Sequence, residues 1–298
     1  MTDHEPSPAI GRRLLATCWT SAGDARPGRG DGESPIALRT RIEAAARAGW
    51  DGFGLGPADL RRALRTTSLA EIRAMFGDAG IEHVELEFLA DWWTDGERRA
   101  ASDERRGLLF AAAEAFGARA VKVGGDMDGG AVDPDRFRSE FDALATQARE
   151  HGTRVALEAM PWSNLPTMRA AVDVVRDVAN PGGGLCIDVW HARRSGATDR
   201  ELREVVPVEH LFVVELEDAA AAVVGSLWDD SVDRRLLPGE GDLDVAGFVA
   251  TLHELGWRGH WGVEMISEAH RALPVDEALT RARAAALACI DEAERLLR

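Results

Sequence analysis

The sequence predicts a single α/β domain folded as a (β/α)8 TIM barrel. Short apolar runs of strand length alternate along the chain with longer amphipathic stretches, a pattern typical of parallel strands joined by helices. Eight such units in a chain of 298 residues match the size of this barrel. An open, doubly wound sheet is the alternative. It is disfavoured because the stretch after the first apolar run is rich in Pro, Gly and Asp and lacks the GxGxxG turn of that fold.

The predicted strands are short apolar runs that could be buried on both faces. In chain order they cover residues 14–19, 52–55, 83–86, 120–123, 155–157, 185–187, 211–214 and 261–263. The predicted helices cover residues 36–50, 69–80, 103–117, 134–152, 166–180, 244–257 and 275–297. Several of these stretches close on a glycine, which predicts a left-handed residue at the helix end. The glycines are Gly49, Gly80, Gly117, Gly152 and Gly256.

One barrel domain is predicted to take up residues 1–298, because no stretch has the composition of a linker between two domains. Within it we expect a flexible N-terminus over residues 1–12. We also expect a mobile loop over about residues 21–35, between the first strand and the first helix.

The composition argues against several classes of partner. The formal net charge is −16 and the pI is near 5.0, so the surface should repel nucleic acid and anionic membranes. No window of the sequence is long and apolar enough to span a bilayer, and the N-terminus does not resemble a signal peptide. Cys18, Cys186 and Cys289 are far apart in the sequence. We expect them to be reduced thiols, which predicts a cytoplasmic protein.

Four carboxylates follow apolar runs at the same local position, as Glu158 in VALEAMP, Asp188 in LCIDVWH, Glu215 in FVVELED and Glu264 in WGVEMIS. In a barrel these are the C-terminal strand ends, where active sites of this fold are built. A helix cap or a surface salt bridge would explain any one of them alone. Four at equivalent positions favour one divalent metal ion, because crowded carboxylates repel one another. Mn2+ or Mg2+ suits oxygen ligands, and His191 nearby makes Co2+, Ni2+ or Zn2+ possible.

Five motifs that carry these and other polar residues occur in a recognisable order, namely LEAMPWSN, IDVWHARRSG, VVELEDA, RLLPGEGDLD and WGVEMIS. With them the chain resembles the xylose isomerase-like TIM barrels over about residues 14–297. That superfamily includes sugar phosphate isomerases and epimerases, inosose dehydratase, ketose 3-epimerases and 3-dehydroshikimate dehydratases. The resemblance implies that Glu158, Asp188, the residue at 215 and Glu264 hold one divalent metal ion.

The residue at position 215 departs from the family pattern, in which His or Gln is common there. Glu215 makes the site one charge more negative than usual. Either Glu215 shares a proton, or an arginine compensates, or Glu217 is the inward-facing acid. Alternation along a strand places Glu215 and Glu217 on the same face. Order along the strand favours Glu215.

Two further residues are expected to contact the substrate. His191 forms with Asp188 the D-x-x-H pair of the family, which implies substrate binding or proton transfer by His191. A structural hydrogen bond is the alternative. Arg235, next to Arg234, stands where family members carry a substrate-binding arginine, and a guanidinium group suits a carboxylate, a phosphate or a diol. A solvated loop charge is its alternative.

The remaining candidates lie at the ends of the third, fourth and fifth strands. Lys122 either contacts the substrate or faces outward, and one of Glu85 and Glu87 is expected at the rim. Trp92 and Trp162 are expected to form walls of a sugar or polyol pocket. Packing between loop and barrel is the alternative for each tryptophan.

These features predict a divalent-metal-dependent isomerase or epimerase of a small sugar, sugar phosphate or keto-polyol. The metal would stabilise an enediolate, and Glu158 and Glu264 would take and return a proton. The alternative is a dehydratase or β-eliminase of the inosose or 3-dehydroshikimate dehydratase kind, in which His191 protonates the leaving hydroxyl. A second alternative is a sugar-binding or scaffold barrel without turnover.

The expected partner is a small carbohydrate or cyclic polyol, with no nucleic acid and no membrane, and the sequence leaves a homo-oligomer open. An abasic-site endonuclease of the same superfamily is disfavoured. That function needs a histidine-rich zinc cluster and a basic surface.

Overall fold

The structure, a computed structural model, describes residues 9–127 and 130–298 and confirms the predicted (β/α)8 barrel. Its strands pair in parallel in chain order, and β1 pairs with β8 to close the sheet. This closure excludes the open, doubly wound alternative. The strands are β1 (Leu14–Ala16), β2 (Gly52–Leu55), β3 (His83–Leu89), β4 (Val121–Gly124), β5 (Val155–Glu158), β6 (Gly183–Asp188), β7 (Leu211–Leu216) and β8 (Trp261–Val263).

Twelve α-helices lie in the described part of the chain. They are α1 (Leu38–Ala48), α2 (Pro57–Ala63), α3 (Leu69–Asp78), α4 (Gly96–Phe116), α5 (Pro134–Glu150), α6 (Met168–Val178), α7 (Val189–Arg194), α8 (Asp199–Val205), α9 (Leu227–Asp233), α10 (Val245–Leu255), α11 (Glu268–Arg271) and α12 (Val275–Leu296). The short helices α2, α7, α8, α9 and α11 are additional to the predicted ones. They are too short to show a helical period in the sequence.

Capping residues fix where several helices begin and end. Ser68 forms a reciprocal capping box with Glu71 at the start of α3. Asp133 caps α5, whose first residue is proline, and Thr167 caps α6. The predicted left-handed glycines are confirmed, with φ between 68° and 106°.

The apolar core fills the space between the barrel and its helices, and the strands are buried on both faces. Backbones approach closely at two glycines in the sheet. A Cβ on Gly54 would lie 2.5 Å from the backbone nitrogen of Cys18, and one on Gly184 would lie 2.3 Å from the carbonyl oxygen of His210. The sheet therefore requires glycine at both positions.

The predicted flexible N-terminus, residues 1–12, lies mostly outside the described residues. In its described part, the Ile10 amide donates to Glu294 of α12. The loop after β1 begins with a 3-10 turn over Trp19–Ser21. Its two ends meet at Ser34, whose hydroxyl donates to the Ala22 carbonyl and whose amide donates to Asp59. The mobility of residues 21–35 stays a prediction.

Within residues 9–127 and 130–298, every helix is too short or too polar to cross a bilayer.

Candidate active site

The four predicted carboxylates converge at the C-terminal rim of the barrel. Glu158 and Asp188 are the last residues of β5 and β6, Glu215 lies next to the end of β7, and Glu264 follows β8 directly. The strand register pairs Asp188 with Glu215. All four side chains are buried. The parallel barrel thus brings together acids that are far apart in the sequence.

Lys122 on β4 holds one side of this cluster. Its ammonium group is 1% exposed and lies 2.5 Å from Glu215 Oε1 and 3.0 Å from Glu264 Oε1. It also forms an ion pair with Glu87 of β3. Glu87 in turn accepts a hydrogen bond of 2.8 Å from the Cys18 amide. Lys122 therefore faces the rim, and three carboxylates surround it.

Arg235, which follows α9, holds the other side. Its Nη1 atom lies 2.9 Å from Asp188 Oδ2, 3.1 Å from Glu264 Oε2 and 3.4 Å from Glu217 Oε1. The remaining guanidinium nitrogens donate to the carbonyl and the hydroxyl of Ser231. The guanidinium group of Arg235, which was predicted to bind the substrate, thus donates its hydrogen bonds to other residues of the protein.

His191 lies between Glu158 and Asp188. The Asp188 side chain caps α7 and accepts a hydrogen bond of 2.7 Å from the His191 amide. The imidazole Nε2 atom lies 3.4 Å from Glu158 Oε1 and 3.7 Å from Asp188 Oδ2. The Nδ1 atom is buried without a hydrogen-bond partner among the described residues. Burial lowers the pKa of His191 to about 4, despite the neighbouring charge of Asp188, so the imidazole is neutral at pH 7.

The buried acids differ in how their charge is stabilised. Burial raises the pKa of Glu158 well above its usual value, and the charge of Lys122 only partly opposes this. Burial and the charge of Glu264 likewise raise the pKa of Glu215 well above its usual value. For Asp188, burial is outweighed by Arg235 and His191, so the pKa falls below its usual value. For Glu264, burial is outweighed by Lys122 and Arg235, again lowering the pKa. The surroundings therefore favour the protonated form of Glu158 and of Glu215 more than that of Asp188 or Glu264.

Carboxylate and imidazole groups at this rim could hold a metal ion. Three sets of side chains each bring their ligand atoms within 4.8 Å of one another. The sets are Glu158, Asp188 and His191; Glu158, Cys186 and Glu215; and Glu87, Glu215 and Glu264. Lys122 contacts all three members of the third set and Glu215 of the second, but none of the first. The first set is therefore the one in which no ligand atom is already paired with Lys122.

A pocket of about 130 Å3 opens over these residues, and we call it the central pocket. Its ionisable lining residues are Glu87, Lys122, Glu158, His191, Arg235 and Glu264. Its apolar lining includes Trp19, Phe88, Trp162 and Trp228. The ring centroid of Trp162 lies 5.2 Å from that of His191 and 5.7 Å from that of Trp228. Trp162 thus takes the predicted wall position, and Trp228, Trp19 and Phe88 are wall residues that the sequence analysis missed.

The prediction for Trp92 is corrected by the structure. Trp92 is 1% exposed and packs against Phe137 and Phe141 of α5. Its indole N–H donates to the Gly124 carbonyl at 2.9 Å. Trp92 therefore joins a helix to the barrel and lies away from the central pocket.

Comparison with known proteins identifies the family of the chain. Residues 42–287 match the family model described as the xylose isomerase-like TIM barrel. The chain belongs to this family. The resemblance inferred from the sequence motifs is thereby confirmed.

Two relatives and one solved structure illustrate the range of the family. The 3-dehydroshikimate dehydratase of Pseudomonas aeruginosa is 29% identical over 243 residues, covering 80% of this chain and 37% of that protein. The inosose isomerase of Halalkalibacterium halodurans is 28% identical over 142 residues, covering 47% of this chain and 49% of that protein. The match thus spans less than half of either relative. The IolI protein, solved with a binding zinc atom, superposes with a TM-score of 0.79 at 18% identity and covers 94% of this chain and 98% of that one.

Glu215, which departs from the xylose isomerase-like pattern, is paired with a lysine and not with the arginine that was one of the predicted alternatives. Lys122, and no arginine among the described residues, contacts Glu215. Glu215 also accepts a hydrogen bond from the Cys186 thiol at 3.4 Å. Glu217 faces inward as well, but it accepts a hydrogen bond from the Trp190 amide and contacts Arg235. Both acids of the ELE motif are therefore buried at the rim, each with a different cation.

Proposed function

We propose that this xylose isomerase-like barrel is a divalent-metal-dependent lyase that removes water from a small cyclic hydroxyketone. The observation that carries the proposal is the position of Glu158. Glu158 lines the central pocket beside neutral His191 and has no ion pair with Lys122 or Arg235. The relative that matches 80% of the chain is named 3-dehydroshikimate dehydratase, whereas the inosose isomerase matches 47%. For this reason we propose the lyase as the first candidate and the isomerase as the second, which reverses the order predicted from the sequence.

The donor set fits a divalent cation. Six acids are buried around the central pocket with two permanent cations, Lys122 and Arg235; the acids are Glu87, Glu158, Asp188, Glu215, Glu217 and Glu264. This excess of negative charge is costly in a buried site, and a divalent ion would offset part of it. We propose Glu158, Asp188, Glu215 and Glu264 as the ligands, with His191 at the edge of the site. Mn2+ or Mg2+ suits these oxygen atoms, and Zn2+ is a third candidate because His191 is close.

The chemistry requires a base next to an acidic carbon–hydrogen bond. When bound, a divalent metal would stabilise negative charge developing on a carbonyl oxygen. Glu158 takes the proton from the neighbouring carbon, and the electron pair of that bond forms the new carbon–carbon double bond. The bond to the β-hydroxyl breaks, and the hydroxyl leaves as water. His191 passes the proton from Glu158 to the leaving oxygen, since its Nε2 atom lies 3.4 Å from Glu158.

Isomerisation or epimerisation is the second candidate. It uses the same proton removal by Glu158 but returns a proton to carbon. Glu264 is the candidate for this second step, because it also lines the central pocket and is not a partner of His191. The inosose isomerase relative supports this alternative. A barrel that binds a sugar without turnover remains the outcome to be expected if neither reaction occurs.

The remaining substrate-binding roles are proposed on the same basis. His191 and Trp162 line the central pocket and are proposed to contact the substrate directly. Lys122 and Arg235 line it as well, but their acidic partners make them positioning residues for Glu215, Glu264 and Asp188. A cytoplasmic location is part of the proposal, supported by three cysteines that are all free and buried.

The metal is tested first, on protein dialysed extensively and then analysed by plasma mass spectrometry. We expect about one divalent ion per chain, taken up again from Mn2+ after chelation, and its loss in Asp188→Ala. Failure of the wild type to take up any divalent ion would overturn the metal site.

The reaction is tested with 3-dehydroshikimate and with an inosose in deuterated water. Loss of water with a new conjugated absorbance identifies the lyase, whereas deuterium incorporation without loss of water identifies the isomerase. Glu158→Gln should lower either rate by a factor of about 100 or more, and the matched control Glu104→Gln, on the exposed face of α4, should not. An active Glu158→Gln variant would remove Glu158 from the mechanism.

A further inference from the structure

A second cavity, of about 300 Å3, lies beside the central pocket. It is enclosed by the segments that follow the first three strands. Arg26 comes from the loop after β1, Arg61 from α2 after β2, and Arg105 from α4 after β3. We call it the arginine cavity after these three residues.

Two of the three arginines have unused guanidinium groups. Among the described residues, neither Arg61 nor Arg105 has an ion pair or a side-chain hydrogen bond. Arg26 donates to the Pro27 carbonyl at 3.1 Å and lies 3.4 Å from Asp233. In a chain with a formal net charge of −16, unpaired arginines that line one cavity form a local region of positive charge.

The acids in the same lining do not neutralise these arginines. Asp59 is paired with buried Arg41 and accepts a hydrogen bond from the Ser34 amide. Glu87 is paired with Lys122. Asp31 is exposed, and its carboxylate accepts a hydrogen bond from the Glu33 amide.

The arginine cavity adjoins the central pocket. Trp19, Pro27, Glu87 and Phe88 line both of them. The central pocket has a volume of about 130 Å3 and the arginine cavity one of about 300 Å3. A substrate that reacts at Glu158 can therefore place a substituent that lies outside the central pocket in the adjoining arginine cavity.

We propose that the arginine cavity binds an anionic substituent of the substrate, a carboxylate or a phosphate, through Arg61 and Arg105. Guanidinium groups pair with both oxyanions through two parallel hydrogen bonds. The inference rests on the proposed function only in placing the reacting carbon in the central pocket. It narrows the substrate class from any small carbohydrate to one with a negatively charged substituent, and it disfavours neutral sugars and neutral inososes.

The test compares two ligands that differ only in a carboxylate. Catechol and 3,4-dihydroxybenzoate share a ring with two adjacent oxygens, and calorimetry measures the affinity of each for the full chain loaded with Mn2+. We expect 3,4-dihydroxybenzoate to bind at least about tenfold more tightly than catechol, because charge-assisted hydrogen bonds to the carboxylate are added. The variant Arg61→Gln with Arg105→Gln should lose this preference and keep the affinity for catechol.

The matched control is Arg73→Gln with Arg119→Gln, which removes the same charge from two exposed arginines outside both cavities. It should keep the preference for the carboxylate, and thermal unfolding should show that both double variants are folded. Equal affinity of the wild type for the two ligands would overturn the proposal. An equal loss of affinity for both ligands in the double variant of Arg61 and Arg105 would also overturn the proposal.

Competition by inorganic phosphate distinguishes the two oxyanions. Displacement of 3,4-dihydroxybenzoate by millimolar phosphate from the wild type supports a phosphate-bearing substrate, and the absence of displacement assigns the cavity to carboxylates. The preference for a charged ligand is measured without turnover, so it can hold even where neither reaction of the proposed function is detected. Conversely, turnover without any such preference would refute the arginine cavity alone.

Discussion

Replacing Lys122 by methionine should destabilise the protein strongly. The substitution keeps a side chain of similar length but removes the ammonium group that contacts Glu87, Glu215 and Glu264. All four groups are buried. The loss therefore leaves acids without their cation in a region that water does not reach.

The magnitude follows from the burial of the group. Removing one partner of a buried ion pair typically costs about 3–5 kcal/mol. For a domain of this size, 1 kcal/mol lowers the melting temperature by roughly 2–4 °C, so the expected decrease is roughly 6–20 °C. Partial protonation of the acids reduces the cost, because the pKa of Glu87 and that of Glu215 are already raised by burial.

The effect should depend on pH in a defined direction. Without Lys122, the folded-state pKa of these acids rises further above the unfolded value of 4.5, so the folded variant binds more protons than the unfolded chain. Its stability therefore falls as the pH rises from the unfolded pKa through the raised folded pKa. The difference between wild type and Lys122→Met should accordingly be larger at pH 8 than at pH 5.

Thermal unfolding followed by circular dichroism, with a chelator present, measures this difference. The double variant Lys122→Met with Glu215→Gln should be more stable than Lys122→Met alone, because one unpaired charge is removed with its partner. Arg73→Met, at an exposed position of α3, serves as the control and should change the free energy of unfolding by less than about 0.5 kcal/mol. A loss below about 1 kcal/mol in Lys122→Met, or a larger loss at pH 5 than at pH 8, would refute the reasoning.

Three further substitutions test the fold and the site. Gly54→Ala should lower the free energy of unfolding, measured with denaturant, by about 3 kcal/mol or more, because its Cβ would lie 2.5 Å from the Cys18 nitrogen. Gly107→Ala, in α4 with open space around it, should instead raise the free energy of unfolding by about 0.5–1 kcal/mol, and equal effects of the two would contradict the close approach. Trp162→Ala should raise KM about three- to tenfold with a smaller change in kcat, whereas Trp162→Phe should stay near wild type, as steady-state kinetics would show. Burial lowers the pKa of His260 to about 4, so the folded state loses stability as the pH falls from 6.5 towards 4. His260→Gln should reduce this loss by about 1 kcal/mol, and an unchanged dependence of stability on pH would exclude His260 as its source.

The architecture could be predicted because each β/α unit carries its own local signal. Apolar runs and helix-closing glycines are short-range features, and the barrel then places every strand end at one rim. This is why Glu158, Asp188, Glu215 and Glu264 could be grouped from the sequence before any contact was known. The strand ends themselves are less well predicted: β6 extends to Asp188 and β7 to Leu216, because polar residues at a strand end interrupt the apolar run.

The partners of each side chain could not be predicted, since they depend on contacts between strands. From the sequence, Lys122 could either contact the substrate or face outward. In the structure it lies among acids from β3, β7 and the end of β8. Trp92 and Trp162 follow strands in a similar way, yet one packs beneath α5 and the other lines the central pocket. Periodicity gives the face of a residue on a strand, but in a loop the direction of an indole ring is decided by the helix that packs nearby.

The distribution of cations over the buried acids indicates where the chemistry would occur. Glu264 joins the two halves of the site, with Oε1 beside Lys122 and Oε2 beside Arg235. Five of the six acids contact at least one of these cations, and among the six only Glu158 contacts neither cation and has the neutral imidazole of His191 as a partner. A proton exchanged at any of the other five acids disturbs an ion pair with Lys122 or Arg235, whereas Glu158 can exchange a proton or accept a metal ion without breaking an ion pair. The barrel thus pairs five of these buried acids with a cation and leaves the sixth, in the lining of the central pocket, free to change its protonation state.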